Sequence, residues 1–287
     1  MNNTKKKQRG RLGETWHQLK KNKFAIVGLV IIVIVLLIAV FAPVLAPYSY
    51  DTQDLVNAYA KPSAEHLLGT DKFGRDTFSR LIWGTRKSME MGLGCVAFGT
   101  AAGLIIGSIA GYFGGRVDNI IMRIMDIFSC VPMMLMCVVI AAILGPSTRN
   151  AIIAIAVSTT PSAARLIRAN ILTVRGKEFV EAARAIDGKP PHIILNHVLP
   201  NAIAPTIVST TMNIGNSIIS GATLSFIGLG AQPPIAEWGA MLSEGRNLMR
   251  DHMELVLYPG ICIMITVLAF NMLGDGLRDA MDPRLRN

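Results

Sequence analysis

Residues 24–46 read FAIVGLVIIVIVLLIAVFAPVLA, a stretch without a single charged side chain. A helix needs roughly 20 mostly apolar residues to cross the hydrocarbon core of a bilayer, and this stretch is long enough. The apolar region of a secretory signal peptide has only about 7–15 residues. We therefore interpret residues 24–46 as an uncleaved transmembrane anchor helix.

Further along the chain, five more segments are apolar enough to cross a membrane. Together with the first, the predicted spans are residues 24–46, 89–112, 119–144, 150–168, 203–229 and 255–276. Of the 287 residues, 51% are hydrophobic and 16% are charged, whereas a soluble domain has about 25% charged residues. The sequence predicts an all-α polytopic membrane protein with six transmembrane helices.

The net charge of +9 is distributed unevenly along the chain. If the N-terminus lies inside the cell, 19 of the 28 Lys and Arg residues fall in inner segments, and the net charge is +10 inside and −1 outside. Because Lys and Arg concentrate in cytoplasmic loops, we predict that both termini are cytoplasmic. The basic residues crowd the membrane ends and form no groove, so we expect a lipid bilayer and no nucleic acid as the partner.

The second predicted span carries glycines at a regular spacing. Gly99, Gly103, Gly107, Gly111 and Gly115 recur every four residues, which places them along one face of a helix. Glycine on a membrane helix lets the backbone of another helix approach closely. The spacing therefore predicts a close helix–helix contact, within this chain or with a partner.

Several kinds of chemistry lack their usual sequence patterns. The four cysteines (Cys95, Cys130, Cys137 and Cys262) lie inside predicted spans without a CxxC pair, so we expect small core residues rather than a disulfide or metal site. The chain has no P-loop, no HExxH and no GxSxG pattern. We predict no catalytic residue, no metal and no cofactor on this chain.

The segment 173–201, TVRGKEFVEAARAIDGKPPHIILNHVLPN, connects the fourth and fifth spans. Strong helix formers predict a helix over 177–186, with Phe179, Ala182, Ala183 and Ile186 on one apolar side. Gly188 and the following prolines end this helix, and a second short helix, 192–198, is expected to end at Leu199-Pro200-Asn201. An apolar face outside the bilayer needs a protein partner or the membrane surface to cover it.

Here the residues resemble a known family. Glu181-Ala182-Ala183, followed by a glycine and by Leu199-Pro200, resembles the EAA loop of ABC importer permeases. Further motifs resemble the dipeptide/oligopeptide/nickel branch of that family: HxLGTDxxGRD (66–76), GYxGGxxD (111–118), LSFIGLG with QPP (224–234) and FNxLGDGLRD with DPR (270–284). The resemblance covers nearly the whole chain.

The resemblance implies an anchor helix followed by the five-helix core of a type I (MetI-like) ABC importer in a bacterial cytoplasmic membrane. It divides the chain into residues 1–87, a permease domain 88–279 and a tail 280–287. The implied partners are a second related permease, two ATP-binding-cassette ATPase subunits that hold ATP and Mg, and an extracytoplasmic substrate-binding protein. Peptides are the implied cargo; nickel chelates, opines and glutathione-like molecules stay open.

In this family the EAA loop inserts into a cleft on the ATPase and transmits its motion. The residues implied for this coupling role are Glu181, Ala182, Ala183, Asp187, Gly188, Leu199 and Pro200. The chain departs from the family pattern at Asp187, where a glycine is usual; Gly188 follows it, so the bend is expected one residue later, with Asp187 capping the helix or pairing with Arg184.

Two other features were assigned from the residues themselves. Asn213, Asn216, Ser217 and Ser220 in the fifth span are candidates for a polar substrate pathway, or for hydrogen bonds between helices. Two charged outer segments, 51–90 and 237–254, are candidates for receiving a substrate-binding protein, or serve as solubilising loops. A self-contained secondary transporter is the rival function, but no Asp or Glu lies in the middle of a predicted span.

Overall fold

The computed structural model of the chain describes residues 11–186 and 188–281. Its helices are α1 (Arg11–Leu19), α2 (Lys23–Leu45), α3 (Thr77–Phe113), α4 (Gly115–Ser129), α5 (Met133–Leu144), α6 (Thr148–Val174), α7 (Glu178–Ala185), α8 (Pro190–Ile193), α9 (Leu199–Ala202), α10 (Ala204–Phe226), α11 (Trp238–Gly245) and α12 (Glu254–Met281). A π-helical turn, Ile194–Val198, joins α8 to α9. The all-α prediction is confirmed.

The long apolar helices match the predicted spans with two qualifications. Four helices, α2, α3, α6 and α12, are each long and apolar enough to cross a membrane. Two further candidates are bent pairs: α4 with α5, bent by 84°, and residues 190–202 with α10, bent by 68°. The described residues therefore reach six spans when each bent pair counts as one.

The third predicted span, 119–144, is wrong as a single helix. α4 ends at Ser129, and α5 begins at Met133, directly after Pro132. Proline has no N–H and cannot continue the hydrogen-bonding pattern of the preceding helix. Because α5 has 12 residues, it is only about 18 Å long, against a hydrocarbon core of roughly 30 Å. Cys130, predicted as a core residue, lies exposed in this break, whereas Cys95 and Cys137 are buried.

The second predicted span starts earlier than its hydropathy indicates. α3 begins at Thr77 because Asp76 caps it: the Asp76 carboxylate accepts a hydrogen bond from the N–H of Ser79 at 2.7 Å. The helix thus runs across the boundary that we placed between residues 87 and 88. The division of the chain into three segments stays a prediction, and residues 282–287 of the tail lie outside the described residues.

The glycine face of α3 packs against α6, so the predicted close contact is confirmed and lies within this chain. A Cβ atom added to Gly103 would lie 2.5 Å from the Cβ of Ala163, and one added to Gly107 would lie 2.5 Å from the carbonyl oxygen of Ala164. Gly99 and Gly111 face α6 in the same way. Gly115 is the exception, because it begins α4 with a φ of +54° and has nothing within 4 Å of its added Cβ. We call the contact of these four glycines with α6 the glycine seam.

The anchor helix is part of the bundle. A Cβ added to Gly28 of α2 would lie 2.6 Å from the carbonyl oxygen of Ala269 in α12. Ile32 and Ala39 of α2 join Ala269 and Phe270 in one apolar cluster. The first span, which stands apart along the sequence, therefore packs directly on the last one.

Candidate functional site

The segment between α6 and α10 folds as a small helical unit. Its first helix, α7, ends before the bend, and the second helical stretch runs continuously from Pro190 to Ala202. The predicted end at Leu199-Pro200-Asn201 is one residue too early, because the stretch ends at Ala202. Pro200 is the second residue of α9, directly after the π-helical turn. We call residues 177–202 the loop unit.

The loop unit has its own apolar core, and the predicted apolar face of α7 is wrong in part. Val180 and Ala183 point inward and pack with residues of the second helical stretch and of the inner ends of α3 and α6: Ile193, Val198, Ala202, Tyr112, Ile167, Ile171 and Val174. Phe179 is 42% exposed and Ile186 is 83% exposed. The loop unit is thus fixed to α3 and α6 on one side and leaves an apolar surface uncovered on the other.

The residues implied for coupling divide between these two sides. Glu181 and Ala182 are exposed next to Phe179, whereas Ala183 is buried within this chain and does not reach the outer surface. Leu199 is half-buried and Pro200 is exposed.

The bend between the two helical parts lies at Gly188. Its N–H donates to the carbonyl oxygen of Ala183 at 3.3 Å, and a Cβ at this position would lie 2.6 Å from the same oxygen. This close approach requires glycine. Asp187, with its predicted capping or pairing role, lies outside the described residues.

The exposed surface of α10 carries polar residues beside the exposed Ile207 and Ile219. Asn213 and Asn216 are exposed and Ser220 is half-buried, but Ser217 is buried at 4% exposure on another face, so its placement in the pathway is wrong. The same face carries two residues that we did not single out, Ser209 and Thr223. The five residues Ser209, Asn213, Asn216, Ser220 and Thr223 follow a 3.5-residue spacing, the signal that could have found the last two. We call them the polar stripe.

Hydroxyl groups of the polar stripe are satisfied within the helix. Ser220 donates to the carbonyl oxygen of Asn216 at 3.0 Å, and Thr223 donates to that of Ile219 at 2.8 Å. A face turned toward lipid is apolar as a rule, because lipid offers polar groups no hydrogen-bond partner. The polar stripe is therefore suited to a water-filled passage or to a contact with another helix.

The two charged outer segments form a single packed unit through a buried ion cluster. Arg75 donates to Asp71 and to Glu244 of α11, each at 2.6 Å. Arg80 donates to Glu244 at 2.8 Å and also to Asp71. Both arginines are almost fully buried, at 1% and 2% exposure. These charges hold the segment before α3 against α11. Sequence reasoning missed the cluster, although the GTDxxGRD pattern contains two of its members.

Comparison with known families identifies the class of protein. Residues 103–287 match the family described as binding-protein-dependent transport system inner membrane component. Residues 10–62 match the N-terminal TM domain of oligopeptide transport permease C. The first match covers more than half of the chain, so the chain belongs to this family of inner-membrane permeases. The predicted membership is confirmed, and the chain is a multi-pass membrane protein.

Individual relatives cover nearly all of the chain. The dipeptide transport system permease protein DppC of Alkalihalophilus pseudofirmus is 48% identical over 274 residues, 96% of this chain and 90% of the relative. The probable D,D-dipeptide transport system permease protein DdpC of Escherichia coli is 43% identical, covering 93% and 89%. The glutathione transport system permease protein GsiD of Escherichia coli is 42% identical, covering 95% and 90%.

Solved structures share the fold. An inward-facing structure of the MetNI methionine ABC transporter aligns with a TM-score of 0.58 at 20% identity, covering 71% of this chain and 97% of that chain. An amino acid ABC transporter aligns with a TM-score of 0.53 at 16% identity, covering 69% and 92%. Identities this low show the fold alone, and the predicted MetI-like fold is confirmed.

Proposed function

We propose that this chain is a permease subunit of an ABC importer that moves dipeptides or oligopeptides across the bacterial cytoplasmic membrane. The observation that carries the proposal is the loop unit, which packs firmly on α3 and α6 while Phe179, Glu181 and Ala182 stay uncovered. Membership of the permease family and a dipeptide permease relative at 48% identity support the cargo class.

In the proposed mechanism, separate ATPase subunits supply the energy. Two ATPase subunits hold ATP and Mg, and their closure displaces the loop unit, which rocks the spans between inward-open and outward-open states. A second related permease completes the passage, and a substrate-binding protein delivers the cargo from outside. The excess of Lys and Arg on the inner side supports cytoplasmic termini and a cytoplasmic loop unit.

The polar stripe supplies this chain's half of the passage. It presents amide and hydroxyl groups without a net charge, which suits a cargo of varied side chains. Its members are all more exposed than Ser217, which is 4% exposed. The alternative, a hydrogen-bonded contact with another membrane helix, would keep water away from it.

Cysteine labelling tests the passage. In a chain whose native cysteines have been replaced, Asn216→Cys is expected to react with a membrane-impermeant, water-soluble thiol reagent in the assembled transporter. Leu268→Cys is the matched control. Leu268 is 55% exposed in α12, near the exposed apolar side chains of Met264 and Ile265. We expect lipid to cover this position, so that the cysteine stays unlabelled. Equal labelling of both positions, or labelling of Leu268→Cys alone, would contradict a passage along the polar stripe.

The glutathione permease relative favours glutathione as a second cargo. The glutathione permease at 42% identity covers as much of this chain as the dipeptide permeases do. Glutathione is itself a small peptide, so the same passage would suit it. Competition between the two cargoes in one assay separates the alternatives.

Reconstitution of the transporter tests the proposed function. The chain is purified in mild detergent with its co-isolated subunits, returned to liposomes with its binding protein, and supplied with radiolabelled dialanine. We expect uptake that depends on ATP and is competed by other dipeptides more strongly than by glutathione. A chain that accumulates cargo alone, driven by an ion gradient, would show a secondary transporter instead.

A further inference from the structure

Arg168 of α6 and Arg175, the residue directly after α6, converge on the turn that joins α3 to α4. Arg168 forms a two-pronged ion pair with Asp118 in the first turn of α4, with one nitrogen–oxygen distance of 2.6 Å. Asp118 is only 7% exposed. Arg175, at the end of α6, donates to the carbonyl oxygen of Gly111 at 2.9 Å. That carbonyl lies at the C-terminal end of α3, where a helix attracts a positive charge.

A third arginine reaches the same turn from the loop unit. The guanidinium of Arg184 in α7 lies 5.0 Å from the centre of the Tyr112 ring. Tyr112 is 8% exposed and belongs to the apolar core of the loop unit. A guanidinium over an aromatic face is attracted by the partial negative charge of that face. We call Arg168, Arg175 and Arg184 the arginine clamp.

The geometry of the turn itself accommodates the arginine clamp. Gly114 has a φ of +66°, which side chains other than glycine rarely adopt. A Cβ added there would lie 2.5 Å from the guanidinium nitrogen Nη1 of Arg175. The glycine therefore leaves the space that Arg175 occupies on its way to Gly111. The GYxGGxxD motif thus supplies the groups that Arg168, Arg175 and Arg184 contact.

We propose that the arginine clamp transmits displacement of the loop unit to the membrane helices, with Arg184 and Arg168 as positioning residues for transport. This inference rests on the proposed function. α7 has eight residues and buries only Val180 and Ala183, so apolar contact alone holds it weakly. Arg184 ties α7 to the end of α3, and Arg168 ties α6 to α4.

The glycine seam allows a displacement of α3 to reach α6. α3 and α6 approach closely at four glycines, which are spaced about one helical turn apart. A displacement of the end of α3 therefore moves both helices together. The pair of Arg168 with Asp118 adds α4 to the same body. A displacement that enters at Tyr112 therefore reaches three membrane helices at once.

The test measures transport and ATP hydrolysis separately in the reconstituted transporter with radiolabelled dialanine. For Arg184→Met we expect assembly and ATP hydrolysis to persist while uptake per ATP hydrolysed falls on the order of tenfold, a coupling loss in the usual range between sites. Arg184→Lys, which keeps a cation near Tyr112, is expected to recover part of the loss. Arg184 is exposed, so its replacement leaves the folded core intact.

A second variant and a control complete the test. Arg168→Lys keeps the charge but loses the two-pronged geometry, and its uptake per ATP is expected to fall in the same direction. Arg123→Gln is the control, because Arg123 is an exposed arginine of α4 outside the arginine clamp. Its uptake per ATP hydrolysed is expected to equal that of the unaltered chain.

Two outcomes would overturn the inference. One is a normal ratio of uptake to hydrolysis in Arg184→Met and Arg168→Lys. The other is a parallel fall of uptake and hydrolysis in both variants, which would assign these arginines to assembly. Absence of ATP-driven uptake in the unaltered transporter would instead reject the proposed function, so the two failures are distinguishable.

Discussion

Replacing Gly107 by valine is expected to remove most of the folded chain from the membrane. The added Cβ would lie 2.5 Å from the carbonyl oxygen of Ala164 and 3.0 Å from the Cβ of Ile167. The first of these atoms belongs to the backbone of α6, which cannot rotate away as a side chain can. The two helices must separate, and we expect a loss of about 3 kcal/mol, the upper part of the range for overpacked positions.

Gly260→Val is the matched control for Gly107→Val. Gly260 also lies inside a membrane helix, α12, but nothing lies within 4 Å of its added Cβ. The amount of full-length chain in the membrane fraction and the melting temperature of the solubilised complex are the measurements. We expect both to fall for Gly107→Val and neither to change for Gly260→Val. If the two variants lost stability equally, the glycine seam would not be what holds α3 to α6.

The glycine seam also shows what the sequence could predict. Regular spacing on one helix is a local pattern, so Gly99, Gly103 and Gly107 predicted a close contact without any knowledge of the fold. The partner helix was left open, because small residues on α6 such as Ala163 have no spacing that stands out among the other alanines. The long apolar runs predicted spans for a similar reason: lipid imposes a length of apolar sequence on each of them.

Features that depend on distant residues could not be predicted in this way. Arg75 and Glu244 are 169 positions apart, so their ion pair exists only once the segment before α3 meets α11. The break between α4 and α5 was missed because apolar residues continue across Pro132. Hydropathy depends on composition alone, so it gives no signal for the hydrogen bond that a proline removes.

Within the candidate site, too, a local pattern predicted some features, whereas others depend on distant residues. Glu181 and Ala182 are exposed, as a surface for a partner requires, and these two positions were taken from a local motif. The apolar face predicted for α7 is wrong at Ala183, which is buried within this chain, because a helix of eight residues with apolar groups on two sides fits more than one periodicity. Burial of Val180 depends on α6 and on the second part of the loop unit, which the local pattern does not contain.

Glu181→Lys is expected to abolish ATP-driven transport while the chain stays inserted in the membrane. Within residues 11–186 and 188–281, the Glu181 backbone N–H donates to the carbonyl oxygen of Lys177 at 3.2 Å, but its exposed carboxylate forms no hydrogen bond or ion pair. Its loss therefore affects the fold only through the N-terminal end of α7, where an acidic group contributes about 0.3–1 kcal/mol. In the proposed docking, a lysine would face the positive charges that receive the carboxylate, and like charges across an interface cost several kcal/mol.

The measurements for Glu181→Lys are the ATPase subunits recovered with a tagged chain and the ATP-driven uptake of radiolabelled dialanine. We expect recovery to fall by about tenfold or more, as a cost above 1.4 kcal/mol implies. Glu90→Lys is the control: the Glu90 side chain is 51% exposed in α3 and forms an ion pair with Lys87, and such surface pairs contribute about 1 kcal/mol at most. Normal assembly and import by Glu181→Lys would show that α7 docks through its apolar residues alone, because the charge at position 181 would then make no contact that the partner depends on.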